Sequence, residues 1–163
     1  MANTATRKIP LIPPGISGSL GETGTPFPAP RRAGPGPRYG SGMPSRSLVV
    51  KVTAGKDDPE RCNQAFTVAA TAVAAGLDVS LWLTGEAAWF ALPERADDVR
   101  LPYAVPLGEM LASVLAAGTV TLCTQCASRR EITEEDVITG IRIAGASTFV
   151  AEIIADDTQA LVY

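Results

Sequence analysis

The stretch Thr119-Val120-Thr121-Leu122-Cys123-Thr124-Gln125-Cys126 joins a short apolar run to two cysteines. Its first half is rich in apolar and β-branched residues, which favours a buried strand. Its second half places one thiol where that strand ends and a second thiol three residues later. Because ligands bind at the carboxyl ends of the strands in a parallel sheet, this stretch predicts a central strand with a thiol site at its end.

Positive charge follows the two thiols, because Arg129 and Arg130 come within two helical turns of Cys123. If residues 124–128 begin a helix, its free amide groups favour a thiolate at its head, and the two guanidinium groups act in the same direction. We therefore expect Cys123 to be a nucleophile. The alternative is a small buried residue that finishes a strand, which is the common state of a free cysteine.

The composition divides the chain into two unlike parts. Residues 1–46 hold nine of the 13 prolines and eight of the 15 glycines, which predicts a disordered tail. This tail has six basic residues and one acidic residue, whereas residues 47–163 have eight basic and 16 acidic residues. We expect the second part to be one domain with a single core. Its acidic balance argues against specific nucleic-acid binding. Met43 is an alternative translation start, which would place most of the tail outside the native protein.

Targeting signals and histidine are both missing from the sequence. No run reaches the roughly 18 to 20 apolar residues of a membrane span, and no secretory pattern opens the chain. We therefore expect a cytoplasmic, reducing location without a membrane partner, where the three cysteines are free, catalytic or metal-bound. The absence of histidine excludes Ser-His-Asp and Cys-His catalysis and removes the commonest zinc ligand.

Apolar periodicity predicts strands that alternate with helices through residues 47–163. Asp58 and Pro59 form a helix start, and Thr133 to Asp136 resembles a capping box that opens a short helix. In the last helix we expect an inward stripe. That stripe consists of Phe149, Val150, Ile153 and Ile154. The predicted strands are 47–53, 78–84, 119–123, 140–144 and 159–163, and the predicted helices begin near residues 59, 86, 107, 133 and 147.

This order predicts an α/β fold, a three-layer α/β/α sandwich with a five-stranded, mainly parallel sheet. The loops 54–58, 85–90 and 123–130 then meet at the carboxyl edge of the sheet. Trp89 belongs to one of these loops, where it would line a cysteine pocket or a subunit contact.

Residues 47–163 resemble the DsrE/DsrF-like (DsrEFH, TusD-like) sulfur-relay family. The resemblance rests on the loop 55–61, on the segment 123–130 and on Ala155-Asp156-Asp157 before the last strand. Sulfur-carrying members of that family have a cysteine followed six and seven residues later by basic residues and then glycine. Cys123, Arg129 and Arg130 match this spacing, whereas Glu131 stands at the glycine position.

The resemblance implies that Cys123 carries a persulfide, with Arg129 and Arg130 in support and no cofactor required. It also implies a homo-oligomer, trimeric or hexameric, with sulfur donor and acceptor proteins as partners. The leading hypothesis is therefore a sulfur carrier or sulfurtransferase. One alternative is a noncatalytic binding or assembly module of the same fold with inert cysteines. Another is a thiol-redox protein like the peroxiredoxins, although no Thr-x-x-Cys peroxidatic loop is present.

The other two cysteines have their own interpretations. Cys126 would lie one turn from Cys123, close enough to resolve a persulfide as a disulfide or to act as a redox partner. Its alternative is an inert neighbour packed under the loop. Cys62 lies on the apolar stripe of the first helix, and we expect it in the core. A zinc site would need all three cysteines and Asp57 or Asp58, a poor match to the cysteine and histidine sets of structural zinc.

Overall fold

The computed structural model describes residues 46–163, which form a five-stranded parallel sheet with helices. The predicted tail, up to residue 45, and the alternative start at Met43 lie outside the described residues. The strands are β1 (Ser47–Val52), β2 (Asp78–Leu83), β3 (Thr119–Cys123), β4 (Ile141–Ala144) and β5 (Thr158–Val162). All neighbouring pairs are parallel, so the predicted α/β class and strand set are confirmed.

Four α-helices and two 3₁₀ helices connect these strands. The α-helices are α1 (Pro59–Ala74), α2 (Leu107–Ala117), α3 (Thr124–Arg129) and α4 (Ala146–Ile153), and the 3₁₀ helices are Gly85–Ala91 and Arg95–Asp98. The predicted start of α1 is confirmed: the Asp58 carboxylate accepts a hydrogen bond from the Arg61 backbone N–H at 3.3 Å, and Pro59 is the first helical residue. Within the described range, no helix is long and apolar enough to cross a bilayer.

The strand order β4-β3-β2-β1-β5 determines which face each helix covers. The crossovers from β1 to β4 all advance in one direction, so their right-handed connections put α1 and α2 on one face. The crossover from β4 to β5 runs back across the sheet and puts α4 on the other face. There Phe149 packs edge-to-face on Trp82, with ring centroids 5.2 Å apart, and Lys51 Nζ lies 4.7 Å from the Phe149 ring centroid.

The hydrophobic core lies between the sheet and the pair α1 and α2. Alternate residues of the strands point into it, as expected from the period-two alternation of a strand. Its largest fully buried apolar members are Phe66, Phe90, Leu81, Leu83, Leu107, Leu122, Val50, Val52, Val114 and Val120. Leu107 and Val114 place the apolar stripe of α2 in the core.

The opposite face is thinly covered. None of the eight residues of α4, all within the described range, is buried. The predicted inward positions of Val150 and Ile154 are wrong, because these side chains are 48% and 73% exposed. A single helix of eight residues is too small to cover one face of a five-stranded sheet, and the apolar side chains at the sides of the helix stay exposed. Where α4 does contact the sheet, Phe149 packs against Trp82.

The predicted short helix at Thr133 is wrong as well. Asp136 does accept hydrogen bonds from the backbone N–H and the hydroxyl of Thr133, at 2.8 and 2.7 Å. The chain nevertheless forms a turn, because the Ile138 N–H already donates to Ala91 O at 2.8 Å and Gly140 then adopts φ +97° before β4. The capping pattern is therefore used to close a turn.

Candidate functional site: a dithiol at the carboxyl edge of the sheet

The three loops predicted to meet at the carboxyl edge do meet there. The Glu86 N–H donates to Thr53 O at 3.0 Å, which ties the loop after β2 to the end of β1. A Cβ on Gly55 would lie 2.8 Å from the Glu86 carbonyl carbon, so only glycine allows this approach. The Gly85 N–H in turn points at the sulfur of Cys126, 3.2 Å away.

Cys123 occupies the junction between β3 and α3. It has extended backbone angles (φ −65°, ψ 125°), occupies the N-cap position of α3 without a capping hydrogen bond from its side chain, and is half-buried. Cys126 is the third residue of that helix, and the side chains at a cap and at the third helical position lie on the same side of the first turn. The two thiols are therefore neighbours. Because α3 has only six residues, its dipole favours a thiolate less than a full-length helix would.

Cys126 is the more enclosed thiol of the pair, at 7% exposed. Burial raises its pKa above the ordinary value, and the neighbouring Cys123 thiol acts in the same direction. The Gly85 N–H and the Arg130 guanidinium oppose that rise, since both stabilise a thiolate. Cys126 therefore has two groups able to support a negative charge once it forms.

Arg130 is the positive group that the fold brings to the cysteines. Its Nη2 lies 2.7 Å from Glu86 Oε1, and its guanidinium lies 5.5 Å from the centroid of the Trp89 ring. Its Nη1 lies 3.4 Å from the Cys126 carbonyl oxygen. The Arg130 side chain is only 14% exposed, and its Nε has no hydrogen-bond partner among the described residues. Arg130 is thus held in place beside Cys126.

Arg129 and Glu131, the neighbours of Arg130, both lie at the surface. Within residues 46–163, no hydrogen bond or ion pair joins the Arg129 side chain to another side chain, so Arg130 alone of the predicted pair reaches the site. Glu131 adopts φ +55°. That left-handed conformation suits glycine, which is the residue that the family resemblance implies here.

A pocket of about 270 Å³ opens beside this loop cluster. It is lined by Lys56, Glu86, Trp89, Phe90 and Arg95. Trp89 lines this pocket, but neither Cys123 nor Cys126 does, so it is not the cysteine pocket that was one of the two places expected for Trp89. Glu86 connects the pocket to Arg130. Sequence reasoning placed the loop 85–90 at this edge but missed Gly85 and Glu86 as contacts of the site, because only the fold shows which distant residue each one meets.

Cys62 does not join the other two cysteines. It is fully buried on the inward face of α1, as predicted, and its pKa is raised to about 12 by burial, with smaller contributions from Asp57 and Asp58. In the part of the chain that the structure describes, no group of three or more His, Cys, Asp or Glu side chains is arranged to hold a metal ion. The zinc alternative therefore has no support in this fold.

Comparisons with known proteins identify one family and one shared fold. The model of the DsrE/DsrF-like family matches residues 46–159. The uncharacterized protein MJ0760 of Methanocaldococcus jannaschii is 30% identical over 103 residues, which span 63% of this chain and 38% of that protein. This chain thus corresponds to well under two thirds of the length of that relative.

Two solved structures share the fold. The ychN protein from E. coli superposes with a TM-score of 0.60 at 20% identity, over 73% of this chain and 99% of the other. MTH1491 from Methanobacterium thermoautotrophicum, a protein of unknown function, superposes with a TM-score of 0.52 at 9% identity, over 72% and 99%. At these identities, the likeness concerns the arrangement of strands and helices.

Proposed function

The chain belongs to the DsrE/DsrF-like family, and on that premise we propose that it is a sulfur carrier whose Cys123 holds a persulfide. The single observation that carries the proposal is the exposure of the three thiols. Cys123 is half-buried at the carboxyl edge of the sheet, whereas Cys62 and Cys126 are buried. Cys123 is therefore the thiol that a sulfur donor protein and an acceptor protein can reach.

The chemistry of carriage needs only a reactive sulfur. The Cys123 thiolate attacks the outer sulfur of a donor persulfide, the sulfur–sulfur bond of the donor breaks, and the donor leaves as a thiolate. Cys123 then bears the persulfide and transfers its outer sulfur to an acceptor thiolate by the same exchange. The electrons balance within each exchange, so no redox cofactor takes part. We place this chemistry in the reducing cytoplasm, where such thiols stay free.

Mass spectrometry after exposure to polysulfide tests the carrier role. We expect the native chain and Cys62→Ser to gain sulfur, and Cys123→Ser to gain none. Cys62→Ser is the matched control because it removes a buried thiol that lies outside the loop cluster. A gain of sulfur that survives Cys123→Ser would move the carrier role to another residue.

A noncatalytic module of the same fold is the second candidate, and two observations favour it. The helix α3 is short, and the pKa of Cys126 is raised mainly by burial. The rate of alkylation at neutral pH separates the two candidates. A carrier reacts at Cys123 faster than a free model thiol, whereas an inert module reacts at the same rate or more slowly.

We also propose that the protein is a homo-oligomer in which a second copy packs on the α4 face. On this face, Val150 is 48% exposed, Ile154 is 73% exposed and Val162 is 65% exposed, although all three are large apolar residues. A patch of this kind on one face marks a protein interaction surface. The family resemblance, which implies a trimer or hexamer, favours another copy as the occupant.

Light scattering over a concentration series tests the oligomer. The native chain should have a mass above that of a monomer, and Ile154→Arg should reduce it. Val105→Arg is the control, because Val105 is 56% exposed but precedes α2, away from the α4 face. A monomeric native chain, or an equal effect of both variants, would overturn the interface.

A further inference from the structure

The enclosure of Cys126 restricts what this sulfur can react with. Its side chain is 7% exposed and faces the Gly85 N–H, so a partner protein cannot approach it directly. Cys123 precedes it by three residues at the start of the same helical turn. A group attached to the Cys123 sulfur is therefore the electrophile within reach of Cys126.

From this arrangement we propose that Cys126 discharges the Cys123 persulfide within one chain, forming a Cys123–Cys126 disulfide and releasing hydrosulfide. The inference rests on the proposed function, since it needs a persulfide on Cys123. It adds an activity to carriage: a sulfur atom that finds no acceptor leaves as sulfide.

The step balances without any further reagent. The Cys126 thiolate attacks the inner sulfur of the persulfide, which is Cys123 Sγ, and a Cys126–Cys123 sulfur–sulfur bond forms. The bond between Cys123 Sγ and the outer sulfur breaks, and its electron pair leaves with hydrosulfide. The outer sulfur is reduced and the Cys126 sulfur is oxidised, while Cys123 Sγ keeps its oxidation state, and the Cys126 proton goes to solvent. A cellular thiol then reduces the disulfide.

The surroundings of Cys126 favour the thiolate form that this attack requires. The Gly85 N–H at 3.2 Å and the nearby Arg130 guanidinium support the thiolate. Side chains one turn apart have Cβ atoms about 5–6 Å apart, and a disulfide needs about 3.5–4.5 Å, so the turn must tighten before the bond forms. We therefore expect discharge to be slower than transfer to a docked acceptor.

The experiment follows the loaded protein after the polysulfide has been removed and no thiol has been added. We expect the native chain to release sulfide and to acquire a Cys123–Cys126 disulfide, identified by peptide mapping. Cys62→Ser should do the same. Cys126→Ser should keep its persulfide and release no sulfide over the same period. The rate of release should be independent of protein concentration, because the reaction lies within one chain.

The outcomes separate this inference from the carrier role. If Cys126→Ser loads sulfur and the native chain keeps its persulfide equally long, discharge by Cys126 is wrong and carriage stands. If neither the native chain nor Cys126→Ser loads sulfur while both remain folded by circular dichroism, the carrier role itself is wrong. Release that rises with protein concentration, or an outer sulfur that moves intact to Cys126, would also overturn the inference.

Discussion

Arg130 and Glu86 form an ion pair of 2.7 Å between Nη2 and Oε1, although 44 residues separate them in the chain. The pair joins the carboxyl end of α3 to the 3₁₀ helix that follows β2. It holds a positive charge beside Cys126, where that charge opposes the rise in pKa that burial causes. The chemistry of the site therefore depends on a contact between two loops.

Replacing Arg130 tests this dependence. In a chain whose remaining thiol is Cys126 (Cys62→Ser with Cys123→Ser), we expect Arg130→Met to raise the pKa of Cys126 further and to slow its alkylation at neutral pH several-fold. The measurement is the alkylation rate as a function of pH. Arg129→Met is the matched control, since Arg129 is exposed, and it should leave the rate unchanged. Equal slowing by the two variants would contradict the role of Arg130.

The raised pKa of the buried Cys62 thiol predicts a loss of stability at alkaline pH. Its pKa is about 12 in the folded chain and near 9.0 when exposed, so the folded state retains a proton that the unfolded state loses between these values. The stability that the protonated Cys62 thiol contributes is fully present below about pH 9. It falls as the pH rises towards 12, by at most about 1.4 kcal/mol per pH unit.

Chemical unfolding at several pH values, compared between the native chain and Cys62→Ala, measures this contribution. We expect the variant to lose about 1 kcal/mol at neutral pH and to show a shallower alkaline decline. Parallel declines in the two proteins would show that the Cys62 thiol does not titrate as described.

The surroundings of the Glu152 carboxylate predict a loss of stability at acid pH. Burial alone would raise its pKa, but hydrogen bonds from Trp82 Nε1 and Ser80 Oγ, both at 2.7 Å, and the ion pair with Arg142 outweigh burial and hold the pKa below its ordinary value. The stability from this carboxylate is present above the ordinary pKa and is lost as the pH falls through the lowered one.

Glu152→Gln should reduce the free energy of unfolding at neutral pH by about 1–2 kcal/mol, because hydrogen bonds to a charged group are replaced by weaker ones. It should also flatten the acid decline. Glu135→Gln, at an exposed position, is the control and should change neither quantity. Unfolding curves at neutral and acid pH decide the matter, and an unchanged acid decline in Glu152→Gln would contradict the prediction.

Glu131 offers a stabilising substitution. Its φ of +55° is unfavourable for a residue with a Cβ, so Glu131→Gly should raise the free energy of unfolding by up to about 1 kcal/mol. Glu134→Gly is the comparison, because Glu134 is not among the residues with positive φ, and there glycine should be slightly destabilising. Thermal unfolding of both variants gives the answer, and a loss of stability in Glu131→Gly would contradict it.

Much of the architecture followed from local patterns. The bounds of β3, Thr119–Cys123, were predicted in full, and Asp58 marked the start of α1, because strand alternation and helix capping depend on near neighbours. The meeting of the loops 54–58, 85–90 and 123–130 also followed, because parallel strands bring their carboxyl ends to one edge. The position of Cys123 at that edge was therefore evident from the sequence.

The inward faces of α4 could not be predicted in the same way. Val150 and Ile154 have the spacing of a buried stripe, yet they are exposed because one returning crossover places a single helix on that face. The Asp136 carboxylate likewise accepts the hydrogen bond from the Thr133 N–H that a capping box uses, but the hydrogen bond from the Ile138 N–H to Ala91 O holds this segment in a turn.

By itself, the amino-acid sequence determined the order of the strands and the placement of a Cys-x-x-Cys pair behind the third strand, because these depend on interactions within a few residues. Only the tertiary structure decided that Arg130 rather than Arg129 reaches the site, and that Gly85 donates to Cys126 across 41 residues. The physical reason is that charge and hydrogen bonding act through space at a few ångströms, and folding alone sets which distant residues come that close.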